Sequence, residues 1–310
     1  MTSFLQGPHE YFIPTTPQRD ADGRGRARTW SWPDNAVEVP LQRLRDLDFD
    51  VVVLQRMREM TLLQKWARRR AGVDIPALYV EHNAPHGSGA FADHPLASQS
   101  NIPVVHVTHF NQLMWDCGRA STAVVEHGVV DPGYQYSGVL KRAAVVINDP
   151  IRRGRAVGSD LLPHFAMAAP LDVFGMNVSG LQHSPAGRQG VLRTFEDLPQ
   201  DRMHRTMSHC RAYVHTTRST SLGLSLIEAM HLGMPVVALG TTEAPRAVPA
   251  LAGVVSTRVD DLVSALQSYI ADRDLATAVG QRAREWAIER YGLKTVLANW
   301  NTLLGHAVCG

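Results

Sequence analysis

The sequence predicts an α/β protein of two doubly wound, Rossmann-like domains. Short, wholly apolar segments recur along the chain, as is typical of parallel strands that are covered on both faces. Segments of helical pattern separate them, and the 310 residues are enough for two domains that each have a core. The expected strands cover residues 49–54, 75–80, 102–107, 122–125, 144–147, 171–174, 213–214 and 236–239.

A linker at residues 131–138 separates two runs of this pattern, because it contains a proline, two glycines and two tyrosines. We therefore expect an N-terminal domain at residues 1–137 and a second domain at residues 138–292. A last helix is expected within residues 293–310.

Two local patterns complete the secondary-structure prediction. The first 45 residues are rich in proline, arginine, aspartate and glycine, so only Tyr11–Ile13 suggests a strand there. Near the end of the chain, Val259–Ile270 has the spacing of an amphipathic helix, capped by Asp260 or Asp261.

The composition is that of an ordinary globular protein, with 45% hydrophobic and 19% charged residues. A net charge of +2 indicates no general attraction to nucleic acid, so no nucleic-acid partner is expected. Cys117, Cys210 and Cys309 are too widely spaced for a disulfide framework or a metal cluster and indicate a reducing compartment. The chain shows no apolar run of bilayer-spanning length and no leader-like start. A cytoplasmic location is therefore expected.

An arginine cluster at residues 68–70 has two interpretations, and both stay open. It is either a solvated helix C-terminus before Gly72, where cations are favourable, or a face that docks on an anionic membrane. The second interpretation predicts peripheral contact at the inner face of a membrane.

The segment Tyr213–Val248 is the most informative about function. It contains a short apolar strand, a loop of threonine, serine and arginine, a glycine, and a helix that carries Glu228. Free backbone N–H groups and the positive end of the helix dipole at such a junction hold phosphate. Glu228 lies within reach of a hydroxyl on the same ligand. A phosphate beside a diol describes a nucleotide, so we interpret the chain as a nucleotide-sugar enzyme.

This segment resembles the donor-binding motif of the retaining GT-B glycosyltransferases, especially glycosyltransferase family 4, the group 1 glycosyltransferases. Ser221–Leu224 and Glu228–Ala238 match the motif, whereas Thr220 stands where the family has its first glutamate. Glu243 lies in the pair that replaces the family's Gly-Gly. The resemblance implies the GT-B fold, with two domains facing each other across a cleft and the last helix crossing back to the N-terminal domain. No clear first strand precedes residues 2–4, so the N-terminal domain is expected to be abbreviated.

The resemblance also implies roles for individual residues of the second domain. Glu228 would bind the ribose, and Thr220 would lie at the hydroxyls of the donor sugar as a catalytic residue. Glu243, as a second-rank candidate, would take over part of the role of the missing glutamate. The backbone that would hold the diphosphate is that of Ser221, Leu222, Gly223 and Leu224.

A basic segment at residues 149–162 resembles the part of the family that grips the diphosphate with an arginine and a lysine. Arg152 stands at the arginine position, and Val157 replaces the lysine. Arg153 or Arg155 would supply the missing charge, because a guanidinium holds phosphate with two parallel hydrogen bonds. An exposed basic loop without a ligand is the alternative.

Histidines follow several of the expected strands of the first domain. His82 and Asn83 resemble the family's His-Asn loop, whose histidine faces the transferred sugar, so His82 is a catalytic candidate. His109 and His127 follow the next two strands and are second-rank candidates. A hydrogen-bonded loop histidine without a role in the reaction is the alternative for each.

The resulting hypothesis is transfer of a hexosyl group from a nucleotide-diphosphate sugar to an unknown acceptor, with retention and without a metal or other cofactor. Fixed N–H groups and arginines would stabilise the leaving diphosphate. Two alternatives stay open: a nucleotide-sugar epimerase or hydrolase, and a binding protein that has lost catalysis. The glycine-rich dinucleotide fingerprint, the P-loop and the hydrolase elbow are all missing from the sequence, which excludes those classes.

Overall fold

The computed structural model describes residues 1–27, 32–85 and 92–309, and the chain divides into two compact units. The first comprises Met1–Val130 together with Leu293–Gly310, and the second comprises Asp131–Gly292. The division follows Val130, whereas the linker led us to expect it after residue 137. Tyr136 explains the difference, because it is buried in the second unit, where its hydroxyl donates to the carbonyl of Arg211 at 2.8 Å.

The first unit contains a four-stranded parallel sheet and a separate two-stranded parallel sheet. The order in the larger sheet is β3-β4-β5-β6, and β1 pairs with β2. The strands are β1 (Tyr11–Thr15), β2 (Ala36–Pro40), β3 (Val52–Leu54), β4 (Ala77–Glu81), β5 (Val104–His106) and β6 (Thr122–Val124). The helices before the division are α1 (Arg58–Ala67) and α2 (His109–Met114).

The C-terminal helix (Leu293–Cys309) belongs to the first unit through its apolar face. Val296, Trp300 and Leu304 recur at helical spacing and pack with Leu78 of β4 and Val105 of β5 in one buried cluster. Each large apolar side chain that is removed from water contributes roughly 1.5–3 kcal/mol. The helix is therefore part of the core of this unit.

The second unit is a six-stranded, wholly parallel sheet in the order β12-β11-β10-β7-β8-β9. Its strands are β7 (Leu140–Val146), β8 (Leu171–Gly175), β9 (Leu192–Glu196), β10 (Cys210–His215), β11 (Val236–Leu239) and β12 (Gly253–Ser256). Its helices are α3 (Pro150–Arg153), α4 (Leu162–Ala168), α5 (Pro185–Arg188), α6 (Gln200–Met207), α7 (Leu224–Leu232), α8 (Ala244–Ala247), α9 (Val259–Ala271) and α10 (Arg273–Tyr291).

This strand order creates a switch point between β7 and β10. The chain runs outward from β7 to β9 in one direction, returns to β10, and then runs outward to β12 in the other. In open parallel sheets of this kind, the loops at the carboxyl ends of the two central strands diverge and leave a crevice in which ligands bind. The fold therefore places the loops after β7 and β10 at the expected position of a site.

The secondary structure differs from the sequence prediction in three places. The proline-rich N-terminal segment forms β1 and β2, and Pro14 and Pro40 fit because this small sheet has only edge strands. The strands β9 and β12 were not predicted, because β9 mixes polar with apolar residues and β12 has only two large apolar residues, Val254 and Val255. Arg258, rather than an aspartate, precedes α9, and Asp260 and Asp261 lie within its first turn.

The arginine cluster of residues 68–70 lies just beyond α1. Arg68 ends the helix in the left-handed conformation, Arg69 lies over the ring of Phe49, and Arg70 pairs with Asp74 at 2.9 Å. No helix within residues 1–27, 32–85 and 92–309 is both long and apolar enough to cross a membrane. Contact with a membrane surface stays a prediction.

Gly280 of α10 provides a test of the packing in the second unit. A Cβ atom at this position would lie 2.0 Å from the carbonyl oxygen of Gly233, which ends α7. We expect Gly280→Ala to lower the free energy of unfolding by about 1–3 kcal/mol, because α10 must move away from α7. Chemical denaturation followed by circular dichroism measures the change.

The control is Gly305→Ala in the C-terminal helix, where a Cβ atom would meet no atom within 4 Å. There, alanine is expected to raise the free energy of unfolding by about 0.5–1 kcal/mol through helix propensity alone. Equal stabilisation by both substitutions would contradict the close approach of α10 to α7.

Candidate functional site

Three loops meet at the carboxyl edge of the second sheet. We call them the switch-point loops: residues 147–161 after β7, residues 216–223 after β10 and residues 240–243 after β11. The backbone N–H groups of Arg218 and Ser219 both donate to the carbonyl of Ala156, at 2.9 and 3.0 Å. The hydroxyl of Thr216 donates to the carbonyl of Val157 at 2.7 Å. The loops after β7 and β10 are therefore joined directly.

Gly158 makes this junction sterically possible. Its φ is +73°, and a Cβ atom there would lie 2.0 Å from the carbonyl oxygen of Thr216. Only glycine combines a positive φ with so close an approach of another backbone segment. The close packing of the two loops therefore accounts for a glycine at position 158, whether or not a ligand binds.

The loop after β11 is joined to the loop after β10. The hydroxyl of Thr241 donates to the carbonyl of Thr217 at 2.8 Å, and the N–H of Glu243 lies 3.4 Å from the carbonyl oxygen of Ser221. The carboxylate of Glu243 is buried and lies 3.3 Å from the guanidinium of Arg246. The structure thus brings two of the predicted residues, Ser221 and Glu243, together.

Helix α7 begins at the centre of these loops. Its N-cap residue is Gly223, and no side chain in the described part of the sequence caps this end of the helix. Gly223 allows the ring of His215, at the end of β10, to lie against the backbone, because a Cβ atom there would be 2.6 Å from Cε1 of His215. Ser221 and Leu222 are buried, whereas Leu224 is exposed. Unsatisfied N–H groups and the helix dipole at this end of α7 suit an anion.

Glu228 lies in the second turn of α7 and is only 5% exposed. Its Oε2 lies 3.3 Å from Nε2 of His204 on α6, and the same ring nitrogen lies 2.8 Å from Nε2 of Gln200. A buried carboxylate needs such polar partners, because transfer of an unpaired charge from water is costly. The sequence did not indicate His204, since nothing in the pattern of α6 marks it as a partner of α7.

Four arginines surround the junction. Arg152 pairs with Asp149 at 2.6 Å, and Arg155 pairs with Asp160 at 2.9 Å. Arg218 also pairs with Asp160, through two hydrogen bonds of 2.6 and 3.1 Å. The hydrogen bond from Arg218 lowers the pKa of Asp160, and that from Arg152 lowers the pKa of Asp149.

The charge of this group is net positive, because the two aspartates face four arginines when the half-buried Arg153 is included. Thr220 lies in the middle of the loop after β10, and its side chain is partly exposed. The switch-point loops therefore combine an open helix N-terminus, cationic side chains and a hydroxyl.

In the first unit, His82 and His127 come together. Their rings stack with centroids 6.1 Å apart, and Nε2 of His82 lies 3.1 Å from Oε1 of Gln55. Burial lowers the pKa of His82, and burial together with the neighbouring His82 lowers the pKa of His127 to about 3. Both rings are therefore neutral at pH 7. His109 is exposed at the start of α2.

Glu81, directly before His82, holds the loop that follows β4. Its Oε1 accepts the N–H of Asn83 at 2.8 Å, and its Oε2 lies 3.3 Å from Nε2 of His94. The indole N–H of Trp115 donates to the carbonyl of Asn83 at 2.8 Å. These contacts fix the backbone of Asn83, a role that the spacing of the sequence did not reveal.

Within residues 1–27, 32–85 and 92–309, no three or more histidine, cysteine, aspartate or glutamate side chains are arranged to hold a metal ion. The charged groups next to the switch-point loops are arginines and their carboxylate partners. The chemistry that they offer is the binding of an anion.

Part of the second unit matches a known protein family. Residues 189–286 match the sequence profile of the family described as "Glycosyl transferases group 1". No curated protein matches the chain significantly.

Solved structures resemble the chain over most of its length. TarM of S. aureus has a TM-score of 0.67 and 18% identity, over 85% of this chain and 57% of TarM. Sucrose-phosphate synthase from Thermosynechococcus elongatus has a TM-score of 0.68 and 13% identity, over 95% and 88% of the two chains. HepE from Anabaena, solved in complex with UDP, has a TM-score of 0.65 and 18% identity, over 86% and 80%. The chain thus spans little more than half of TarM, and the likeness shows the GT-B fold of two Rossmann-like domains.

The junction of the loops leads to a first prediction for the site. Gly158→Ala is expected to lower the free energy of unfolding by about 1–3 kcal/mol more than Gly190→Ala, because the new methyl group collides with a backbone carbonyl. Gly190 is the matched control, since its φ of +72° is nearly the same and its Cβ position is open. Urea denaturation of both variants gives the difference. Equal losses would contradict the close contact at Thr216.

His215 leads to a prediction about pH. Burial lowers its pKa to about 4, so the folded protein keeps this ring neutral between pH 6.5 and 4 while the unfolded chain protonates it. The unfolded state then binds more protons, and stability falls as the pH decreases through this range. The contribution reaches roughly 3 kcal/mol at its limit. Urea denaturation at a series of pH values measures it.

The matched variants are His215→Gln and His164→Gln, since His164 is exposed on α4. His215→Gln is expected to flatten the dependence of unfolding free energy on pH, whatever its effect at pH 7. An unchanged slope in this variant, or an equal change in both variants, would contradict the neutral buried state of His215.

Proposed function

We propose that this chain, whose residues 189–286 match the glycosyl transferases group 1 family, transfers a hexosyl group from a nucleotide-diphosphate sugar to an acceptor hydroxyl. The observation that carries the proposal is the meeting of an uncapped helix N-terminus and four arginines at the switch point of the second sheet. Such an arrangement suits a diphosphate, because it supplies both fixed N–H donors and positive charge.

The nucleotide would extend from the diphosphate towards Glu228. In the proposed complex, the diphosphate lies at the start of α7, and Glu228 accepts hydrogen bonds from the ribose hydroxyls. Oε2 of Glu228 faces His204, so Oε1 is the oxygen that we assign to the ribose. HepE was solved with UDP, with UDP and glucose, and with UDP-glucose, which makes uridine diphosphate sugars the first donors to test.

The proposed chemistry relies on stabilising the leaving group. Negative charge grows on the diphosphate as the glycosidic bond breaks, and arginines with backbone N–H groups stabilise it without a metal ion. Arg152 and Arg153 carry this role in the proposal. Thr220 contributes a hydroxyl where the resemblance leads to a glutamate, and His82 contributes a neutral imidazole at the transferred sugar. Retention at the anomeric carbon completes the proposal.

A nucleotide-sugar-binding protein without transferase activity is the second candidate. Thr220 favours it, because a hydroxyl carries no charge with which to hold the hydroxyls of the sugar. Val157 favours it as well, since this side chain is 2% exposed and leaves no cation at its position. A nucleotide-sugar hydrolase or epimerase would instead turn over the donor without any acceptor.

Nucleotide binding is tested first, with Glu228→Ala beside wild type. The probes are UDP, UDP-glucose, GDP, ADP and dTDP in thermal unfolding and calorimetric titration. One nucleotide is expected to stabilise the wild type by about 2.7 kcal/mol at a concentration a hundredfold above its Kd. Glu228→Ala is expected to raise that Kd by about tenfold to a hundredfold, because a charged hydrogen bond to the ribose is lost.

The control is Glu285→Ala on α10, where the carboxylate is 66% exposed and pairs with a neighbouring arginine on the same helix. This variant is expected to bind like the wild type. Wild type that binds none of the five nucleotides would overturn the proposed function. Equal weakening in both variants would remove Glu228 from the site.

Turnover of the donor distinguishes a transferase from a binding protein and from a hydrolase. With the donor that binds, slow release of free nucleotide that an acceptor accelerates is expected of a transferase. Binding without any release would favour the second candidate, and fast release that no acceptor alters would favour the hydrolase. An inverted anomeric carbon in the product, measured by NMR, would contradict retention.

A further inference from the structure

Arg218 lies in the switch-point loop after β10, and its guanidinium reaches the loop after β7. One of its terminal nitrogens, Nη1, donates to the carbonyl of Arg155 at 2.9 Å and to Oδ1 of Asp160 at 2.6 Å. The other, Nη2, donates to Oδ2 of Asp160 at 3.1 Å. The side chain therefore bridges the two central strands of the sheet at their carboxyl ends.

The arginines of the junction differ in how firmly they are held. The side chain of Arg218 is 27% exposed, whereas those of Arg152 and Arg155 are 74% and 78% exposed. Arg152 and Arg155 each make one ion pair, and Arg218 makes a bidentate pair together with a backbone bond. An arginine that is already fixed loses less side-chain entropy when it binds a ligand than one that moves freely in solvent.

Arg218 lies next to an uncharged position of the loop after β7. Val157 is buried and carries no charge. The guanidinium of Arg218 donates to the carbonyl of Arg155, in the same turn of the loop as Val157. The loop after β10 thus holds a positive charge beside this turn, whereas the charge of Arg155 itself lies mostly in solvent.

The contacts with Asp160 occupy only some of the N–H donors of Arg218. A guanidinium has N–H donors on three nitrogens, and the contacts of Arg218 in the described part of the chain leave some of these donors for a ligand. Because the arginines outnumber the aspartates around the junction, pairing with Asp160 does not remove the positive charge that attracts an anion.

We propose that Arg218, oriented by Asp160, binds the phosphate groups of the nucleotide. Arg218 is then a binding residue for the diphosphate, and Asp160 is a positioning residue that acts through it. This inference rests on the proposed function, since it concerns the same donor site. It assigns the fixed cation of the site to the loop after β10 rather than to the loop after β7.

The test compares a probe that carries phosphate with one that does not. The Kd values of UDP and uridine are measured by calorimetric titration and competition for wild type, Arg218→Gln, Arg218→Lys and Asp160→Asn. Arg218→Gln is expected to raise the Kd of UDP by about tenfold to a hundredfold and that of uridine by less than about threefold, because only the phosphate contact is lost. Arg218→Lys is expected to recover part of the affinity, since it keeps the charge without the bidentate geometry.

Asp160→Asn and Arg282→Gln complete the series. Asp160→Asn keeps Arg218 but removes its anchor, so the affinity for UDP is expected to fall by roughly fivefold to tenfold. Arg282→Gln on α10 is the control, because it removes an arginine that is 64% exposed and pairs with Glu285 outside the switch-point loops, and it is expected to change UDP affinity by less than about threefold. Thermal unfolding is recorded for each variant, and Arg218→Lys and Asp160→Asn carry the test if Arg218→Gln does not fold.

The possible outcomes separate this inference from the proposed function. UDP affinity that stays within about threefold of wild type in Arg218→Gln would overturn the inference alone. Equal weakening of UDP and uridine would also overturn it, because Arg218 would then only join the loops. If wild type binds UDP no better than buffer, the series is run with whichever of GDP, ADP and dTDP binds, each with its nucleoside. Failure of all four nucleotides and of UDP-glucose to bind the wild type would overturn both proposals.

Discussion

The junction between the loops after β7 and β10 is the constraint on which the candidate site depends. A carbonyl at Ala156 accepts two N–H groups of the opposite loop, and Gly158 lets the two backbones touch. These contacts join an arginine-bearing turn to the loop that leads into α7. In doubly wound sheets, ligands bind in the crevice at the switch point. Here hydrogen bonds between the two loops set the distance between the two walls of that crevice.

Buried carboxylates in both units lie next to a cation or another polar side chain. Asp172 of β8 is 1% exposed and lies between Arg142 and Arg193 of the neighbouring strands, at 2.6 Å from each. Glu228 has His204 beside it, and Glu81 has His94. Removal of one partner from such a pair leaves an uncompensated charge in the interior. The charged residues of the sheets are thus as much a part of the folded state as the apolar core.

The sequence predicted the features that are local along the chain and missed those that depend on contacts between distant segments. The strand, loop and helix around Glu228 were found because they are contiguous and have a recognisable order. The contact of Arg218 with Asp160 and that of Glu228 with His204 were not found, since each joins different elements. No periodicity in a single sequence marks such pairs.

Strand prediction failed at β9 and β12, the two edges of the second sheet. The strands β4, β5 and β11 are wholly buried and largely apolar in sequence, whereas only Leu192 of the five residues of β9 is buried. The paired β1 and β2 contain prolines that argue against a central strand, and neither of them is one. The sequence therefore indicates strands that are runs of apolar residues and misses an edge strand, such as β9, that mixes polar with apolar residues.

Because the C-terminal helix packs in the first unit, the core of that unit is completed only after the second unit has been synthesised. The second unit is one continuous segment, so all of its strands are available once residue 292 has left the ribosome. The first unit lacks Trp300 and Leu304 of its core until the second unit has been translated, although its sheet is translated first. Domains usually fold in the order of translation. In this chain the half that is made first must keep an apolar face of its sheet uncovered while the other half folds.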